Sequence, residues 1–136
     1  MTQHLLLDTS VATRVSRPEV RAALRPLVHR LARTHMTDLE IGYSARSRKE
    51  WAMSCGGLVV FPVVELLNDD LVRALEVQRE LATLGRRGRK IPDLLIAAVA
   101  ERTGRTVLHY DRDFAIISEE VTGQDHQWIL PAGSID

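Results

Sequence analysis

The chain has one cysteine, Cys55, in 136 residues. An internal disulfide is therefore impossible, as is a cysteine metal cluster, and a buried or half-buried thiol is the expected role. Long apolar runs are missing too: nothing approaches the ~18 residues of a membrane span, so no membrane association is expected. The apolar stretch after Met1 is only Leu5-Leu6-Leu7 and meets Asp8 at once. That is not a secretory signal, and the expected location is the cytoplasm. The five histidines are widely spread, and no pair has zinc spacing. No Gly-x-Gly-x-x-Gly or Walker loop follows the first apolar run, which argues against a dinucleotide or P-loop domain. Internal repeats, low-complexity tracts and long linkers are absent as well. Residues 1–136 are read as one domain with a sizeable core of its own.

Net charge is zero, yet the charges are unevenly placed. Bases exceed acids from Val11 to Glu50, acids dominate after Asp111, and Arg86, Arg87, Arg89 and Lys90 make a tight basic loop. A neutral chain can still present a local positive surface to an anionic polymer; the alternative is a solvated face.

Hydrophobic periodicity alternates between strands and helices. His4–Leu7 reads as a short buried strand, with Thr9 or Ser10 capping the turn after it. A helix is expected from about Pro18 to Arg33, bent or split at Pro26. Thr34–Met36 reads as a brief strand, and a second helix starts at Thr37 or Asp38 and runs to about Met53, with Leu39, Tyr43 and Trp51 inward. Gly56-Gly57 breaks it, and Leu58–Val64 is β-rich. Asn68 or Asp69 caps a helix from about Asp70 to Leu84, with Leu71, Leu75, Val77 and Leu81 apolar, and Gly85 ends it. Pro92 and Asp93 open an Ala- and Leu-rich helix that Gly104 closes after Thr103. It is apolar almost all round and belongs against the sheet. Thr106–Leu108 and Gln127–Leu130 are the last strands. This alternation predicts an α/β fold, a three-layer α/β/α sandwich on a parallel sheet.

Acids recur where apolar runs end. Asp8 follows strand one, Glu40 follows strand two, Asp93 opens the buried helix, and Asp111 and Asp113 follow the strand Thr106–Leu108. In an open parallel sheet these positions share one edge. Each acid also has a structural role available. Asp38 and Asp93 offset a helix dipole, Glu40 closes a capping box with Thr37, and Asp111 caps the turn Arg112–Ile117. Several carboxylates brought together repel unless protonated or paired, and a hard divalent ion such as Mg²⁺ takes oxygen ligands.

Four stretches carry a resemblance: Leu6-Leu7-Asp8-Thr9-Ser10, Thr37-Asp38-Leu39-Glu40-Ile41-Gly42, Pro92-Asp93-Leu94-Leu95-Ile96-Ala97-Ala98, and His109-Tyr110-Asp111-Arg112-Asp113-Phe114. In this order and spacing they resemble the PIN-domain ribonucleases, in particular the VapC-type toxins of bacterial toxin–antitoxin pairs. The resemblance spans essentially the whole chain. It implies a sheet of about five parallel strands and an endoribonuclease dependent on Mg²⁺ or Mn²⁺. Asp8 and Asp93 match the family's metal ligands, and Glu40 its second acid. The fourth acid matches Asp111 or Asp113, with Asp111 nearer the strand end. The resemblance further implies structured RNA such as tRNA or rRNA as substrate, a small VapB-type antitoxin, and a homodimer. Thr9 and Ser10 are candidates for positioning a ligand or phosphate, and Arg86, Arg87, Arg89 and Lys90 for meeting the RNA backbone. Trp51 and Trp128 are read as packing residues.

Other strand-then-Asp families fit less well. A haloacid-dehalogenase-type phosphatase has a second Asp where this chain has Ser10. A phospho-receiver domain needs an acidic pair before Asp8 and a late lysine that are absent. The non-enzymatic alternative is an interaction module of the same fold, acting through antitoxin binding and transcriptional autoregulation.

Overall fold

The computed structural model describes residues 3–86 and 88–136. Its centre is a parallel sheet of four strands: β1 (Leu5–Leu7), β2 (Leu31–Ala32), β3 (Thr106–His109) and β4 (His126–Trp128), in the order β2-β1-β3-β4. Leu6 is in register with Ala32 on one side and Val107 on the other. Side chains of successive strand residues point to opposite faces, and the core divides accordingly. Leu6, Ala32 and Val107 pack with α5 (Asn68–Thr83), α6 (Ile91–Thr103) and α7 (Arg112–Ile117) through Val77, Leu81, Ile96, Val99 and Phe114. Leu5, Leu7, Leu31 and Leu108 pack on the other face with α1 (Thr9–Ala12) and α2 (Pro18–Leu24) through Val11, Val20 and Leu24. The expected three-layer sandwich is present. Among the described residues no helix is long and apolar enough to cross a membrane.

α6 anchors the architecture. It starts with Pro in its first turn, buries everything from Asp93 to Ala100, and ends on Gly104 at φ 68°, a left-handed turn that glycine takes without steric cost. Its N-terminus is thereby held at the edge where β1 and β3 end.

Several elements depart from the sequence expectation. Pro26 does end the regular helix, but at Leu24, and a 3-10 segment, Arg25–Arg30, follows. Leu31, inside the range expected to be helical, is drawn into the sheet opposite Leu5. The strand therefore comes before Thr34–Met36, and Thr34 instead becomes the extended residue ahead of α3 (His35–Gly42). The helix expected up to Met53 is two: α3 and α4 (Arg48–Cys55). Ser47 starts α4 by accepting from Glu50 N at 3.1 Å. The break turns the expected inward residues outward: Leu39 is 65% and Tyr43 91% exposed, and Trp51 is exposed too. Gly42 lies so close under Trp51 that a Cβ there would collide with the indole.

The β-rich Leu58–Val64 forms no named strand. Gly56–Val60 is 3-10, and only an Arg33–Val63 bridge extends the sheet. Pro62 offers a carbonyl to Arg33 N at 2.9 Å but has no N–H to continue a ladder. This is why four strands appear where about five were expected. α1 is capped by Asp8, which accepts from Ser10 N, not by Thr9 or Ser10. α5 begins after Leu67, whose N–H donates to Asp70 Oδ2 at 2.8 Å, displacing Asn68 and Asp69 from the capping role. Its buried stripe is Ala74, Val77 and Leu81, while Leu71 and Leu75 face out. The last strand is His126–Trp128, earlier than Gln127–Leu130. Cys55 is buried, as expected.

Candidate metal centre

At the C-terminal edge of the sheet, Asp8, Asp93 and Asp111 each bring a carboxylate oxygen to within 4.8 Å of the others. Asp8 arrives at the end of β1, where its N–H donates to Leu108 O of β3 at 3.0 Å. Its Oδ2 accepts from the backbone N and the hydroxyl of Ser10. The same hydroxyl accepts from Tyr110 N at 2.8 Å. Ser10 thus ties the end of β1 to the chain leaving β3. Asp93 is delivered by the first turn of α6, and Asp111 by the junction between β3 and α7. Asp111 also caps α7, its Oδ1 accepting from Asp113 N at 2.9 Å.

Burial and mutual repulsion shape the electrostatics. Asp8 and Asp93 are almost fully buried. Burial chiefly raises the Asp8 pKa, against the lowering effect of Ser10, and the charges of Asp111 and Glu40 push it further up. Asp93 is pushed up to about 8, first by burial, then by Asp8 and Asp111, with Lys90 pulling the other way. Asp8 Oδ1 and Asp93 Oδ2 are buried with no hydrogen-bond partner. Among the described residues no Arg or Lys forms an ion pair with either acid. Three converging carboxylates, two of them carrying a buried oxygen with no partner, are a donor set that fits a hard divalent cation.

The remaining expected site residues divide. Glu40 lines the same pocket, of about 550 Å³, but does not join the three converging atoms. Its Oε1 accepts from Thr9 Oγ1 at 2.6 Å, and Thr9 in turn lies 3.1 Å from Thr37 Oγ1. Asp113 turns away from the cluster and pairs with Arg89. Asp38, in the first turn of α3, pairs with Arg33 at 2.8 Å. Of the basic loop, Arg86 pairs with Glu120, and Lys90 reaches Asp111 Oδ2 at 3.5 Å. Arg87 lies outside the described residues. Sequence reasoning missed a second wall of the pocket, made by Arg14, Tyr110, Arg112, Trp128 and the tail at Ala132, Gly133 and Asp136. Trp128 packs as expected, 4.8 Å from His109 and edge-on to Tyr110, and lines the pocket as well. Nothing in the order of residues signals that the tail folds back to Arg14, where Asp136 pairs with it.

The geometry defines a class: an α/β sandwich with a carboxylate cluster at the strand ends. The profile of the PIN domain family matches residues 5–120. Ribonuclease VapC51 of Mycobacterium tuberculosis (strain ATCC 25618 / H37Rv) is 55% identical over 133 residues, 96% of each chain. Ribonuclease VapC21 of the same strain is 44% identical over 140 residues, covering 98% of this chain and 99% of that one. The chain belongs to the PIN-domain family and, within it, to the VapC ribonucleases. Among solved structures, DNA-bound VapBC from Salmonella typhimurium matches with a TM-score of 0.76 at 20% identity, over 95% of this chain and 100% of that one. VapBC-5 from Mycobacterium tuberculosis matches with a TM-score of 0.67 at 24% identity, over 93% and 98%. These two show the shared fold.

Proposed function

We propose that this chain is, as one domain, a metal-dependent endoribonuclease toxin that cleaves structured RNA of the tRNA or rRNA class. The observation that carries it is the convergence of Asp8, Asp93 and Asp111 with two orphaned, buried oxygens. Asp8, Asp93 and Asp111 would hold Mg²⁺ or Mn²⁺, which, when bound, lowers the pKa of water and offsets charge on the phosphoryl group. The protein's own residues do the rest. Glu40, with Oε1 taken by Thr9, offers Oε2 to accept the proton of the attacking water as the P–O bond to the leaving oxygen breaks. Ser10 and Thr9 hold Asp8 and Glu40 in register. Arg112 and Lys90, on the pocket rim, meet the phosphates that flank the cut. Arg86 and Arg89, paired with Glu120 and Asp113, would reach the RNA only by leaving those acids.

A VapB-type antitoxin is the proposed partner in the cytoplasm, with a homodimer as the proposed assembly. Support for docking comes from the exposed apolar side chains of α3 and α4 and the segment after them: Leu39, Tyr43, Met53, Val59 and Val60. The same surface favours the second reading, an interaction module with weak catalysis. Incubating total tRNA and rRNA with Mn²⁺ or Mg²⁺ separates them. Nuclease action predicts defined cuts that chelation stops and that Asp8→Asn and Asp93→Asn each reduce by at least about a hundredfold, with folding intact. Intact RNA under every metal condition would leave the interaction module.

A further inference from the structure

His109, the last residue of β3, is wholly buried beside the acids, and no step above uses it. Its contacts fix where its proton sits. Asp111 N donates to His109 Nδ1 at 3.1 Å, so Nδ1 carries a lone pair. The ring proton of a neutral imidazole is then on Nε2, which donates to His126 Nδ1 at 2.9 Å. His126 in turn carries its proton on Nε2, 3.5 Å from Glu119 Oε1. Phe114 and Trp128 flank the His109 ring at 5.4 and 4.8 Å. A chain of contacts therefore runs from a surface glutamate through two imidazoles to the backbone N–H of one pocket acid.

That N–H sits where orientation counts. Asp111 is the extended residue at which β3 hands over to α7, at φ −148° and ψ 120°. Its carboxylate direction follows from that backbone, and the other two restraints act on the carboxylate itself, through Asp113 N and Lys90. Misplacing a functional group by about 1 Å is enough to cost a site much of its use. Layers behind a site commonly set such orientation.

We propose that His109 is a positioning residue for Asp111, with its acceptor nitrogen fixed by His126 and Glu119, so that the third carboxylate of the cluster is held ready for the cation. This rests on the reading of the acid cluster as a cation site.

The test combines Mn²⁺ titration, followed by electron paramagnetic resonance, with histidine ¹⁵N NMR on the full chain. In the wild type, His109 shows an unprotonated Nδ1 and a protonated Nε2. His109→Leu weakens Mn²⁺ binding about tenfold. His109→Asn, whose Oδ1 can still accept from Asp111 N, recovers affinity to within about threefold of the wild type, a rescue that simple packing would not produce. His126→Phe, at the edge strand, removes the acceptor for Nε2, shifts the His109 signals and weakens Mn²⁺ binding; it decides the matter if His109→Leu does not fold. Wild-type affinity in His126→Phe and in folded His109→Leu, or a proton found on Nδ1, overturns the proposal. A wild-type protein that binds no Mn²⁺ removes the cation site itself and this proposal with it, a result distinct from equal binding by wild type and variants.

Discussion

Asp70 and Asp93 occupy equivalent local positions and opposite electrostatic ones. Each lies in the first turn of a long helix, α5 and α6, and each is almost fully buried, at 1% and 3% exposure. Asp70 accepts from Arg102 at 2.8 and 3.0 Å and from Leu67 N at 2.8 Å. Burial alone would raise its pKa, but the Arg102 hydrogen bonds and charge outweigh that and leave it below the ordinary value. Asp93 meets Asp8 and Asp111 instead of an arginine and is pushed up to about 8. The helix start explains both acids locally and separates neither. What separates them is the tertiary partner: one acid is already neutralised by an arginine, while the other sits among carboxylates and stays charged only at the cost of their repulsion unless a proton or a cation relieves it.

The contrast breaks most visibly in stability. The unfolded chain sheds the Asp93 proton near pH 4, while the folded chain keeps it up to about 8. Folding stability without metal therefore falls as pH rises through that window and levels off above it. Asp93→Asn should flatten this slope to the part that Asp8, whose pKa is also raised, contributes, and should raise unfolding free energy at pH 8 by about 2–5 kcal/mol in chelator, measured by urea denaturation. It should also abolish the stabilisation that Mn²⁺ gives the wild type, ~2.7 kcal/mol at a hundredfold excess over Kd. A variant less stable than the wild type in chelator would show that Asp93 has a structural partner after all.

Asp70→Asn should act in the other direction, though by less. At neutral pH it should cost about 1.5–3 kcal/mol, the usual worth of hydrogen bonds to a charged group. The folded-state pKa of Asp70 is lowered, so its stabilisation is present above the ordinary carboxylate value and is lost as pH falls through the folded one. The gap between wild type and Asp70→Asn should close in acid. Mn²⁺ binding should be unchanged, and a loss of it would mean that the two acid regions are coupled along α6.

The positions of these acids are written locally in the chain, and their partners are not. Leu5-Leu6-Leu7-Asp8 and Pro92-Asp93 were legible because strand ends and helix starts are local features, and a parallel sheet brings such points to one edge. The partners were not legible. That Asp70 would meet Arg102, 32 residues on, or Asp113 meet Arg89 depends on helix packing that periodicity does not encode. The same limit explains the stretch from Thr34 to Val64. Its β-branched and apolar residues have strand and helix propensities, but Pro62, Gly42 and the Ser47 cap decide where each element stops. Leu39 and Tyr43 have helical spacing without a core to face.

A smaller effect comes from Lys90, mostly exposed and 3.5 Å from Asp111. Its ammonium already offsets part of the cluster's charge and competes with a bound cation. Exposed pairs are worth at most ~1 kcal/mol. Lys90→Met should therefore bind Mn²⁺ about two- to fivefold more tightly in calorimetry, with the effect shrinking in high salt. Weaker binding would mean that Lys90 orders the acids more than it opposes the ion.

Asp113 should give the smallest change, although it lies beside the site itself. It is two residues from Asp111, in the first turn of the short helix that Asp111 caps, and was the second choice after Asp111 for the fourth acid. Yet it behaves like Asp70, because Arg89 neutralises it. Its side chain is 27% exposed, and solvent screens the pair. Asp113→Asn should cost about 0.5–1 kcal/mol of stability and leave Mn²⁺ affinity within about twofold of the wild type. Asp111→Asn should weaken binding tenfold or more, since it removes one of three converging oxygens. Side-by-side calorimetric titration of the two variants checks this; equal losses would place both acids on the cation and undo the rule that an arginine partner marks the structural carboxylate.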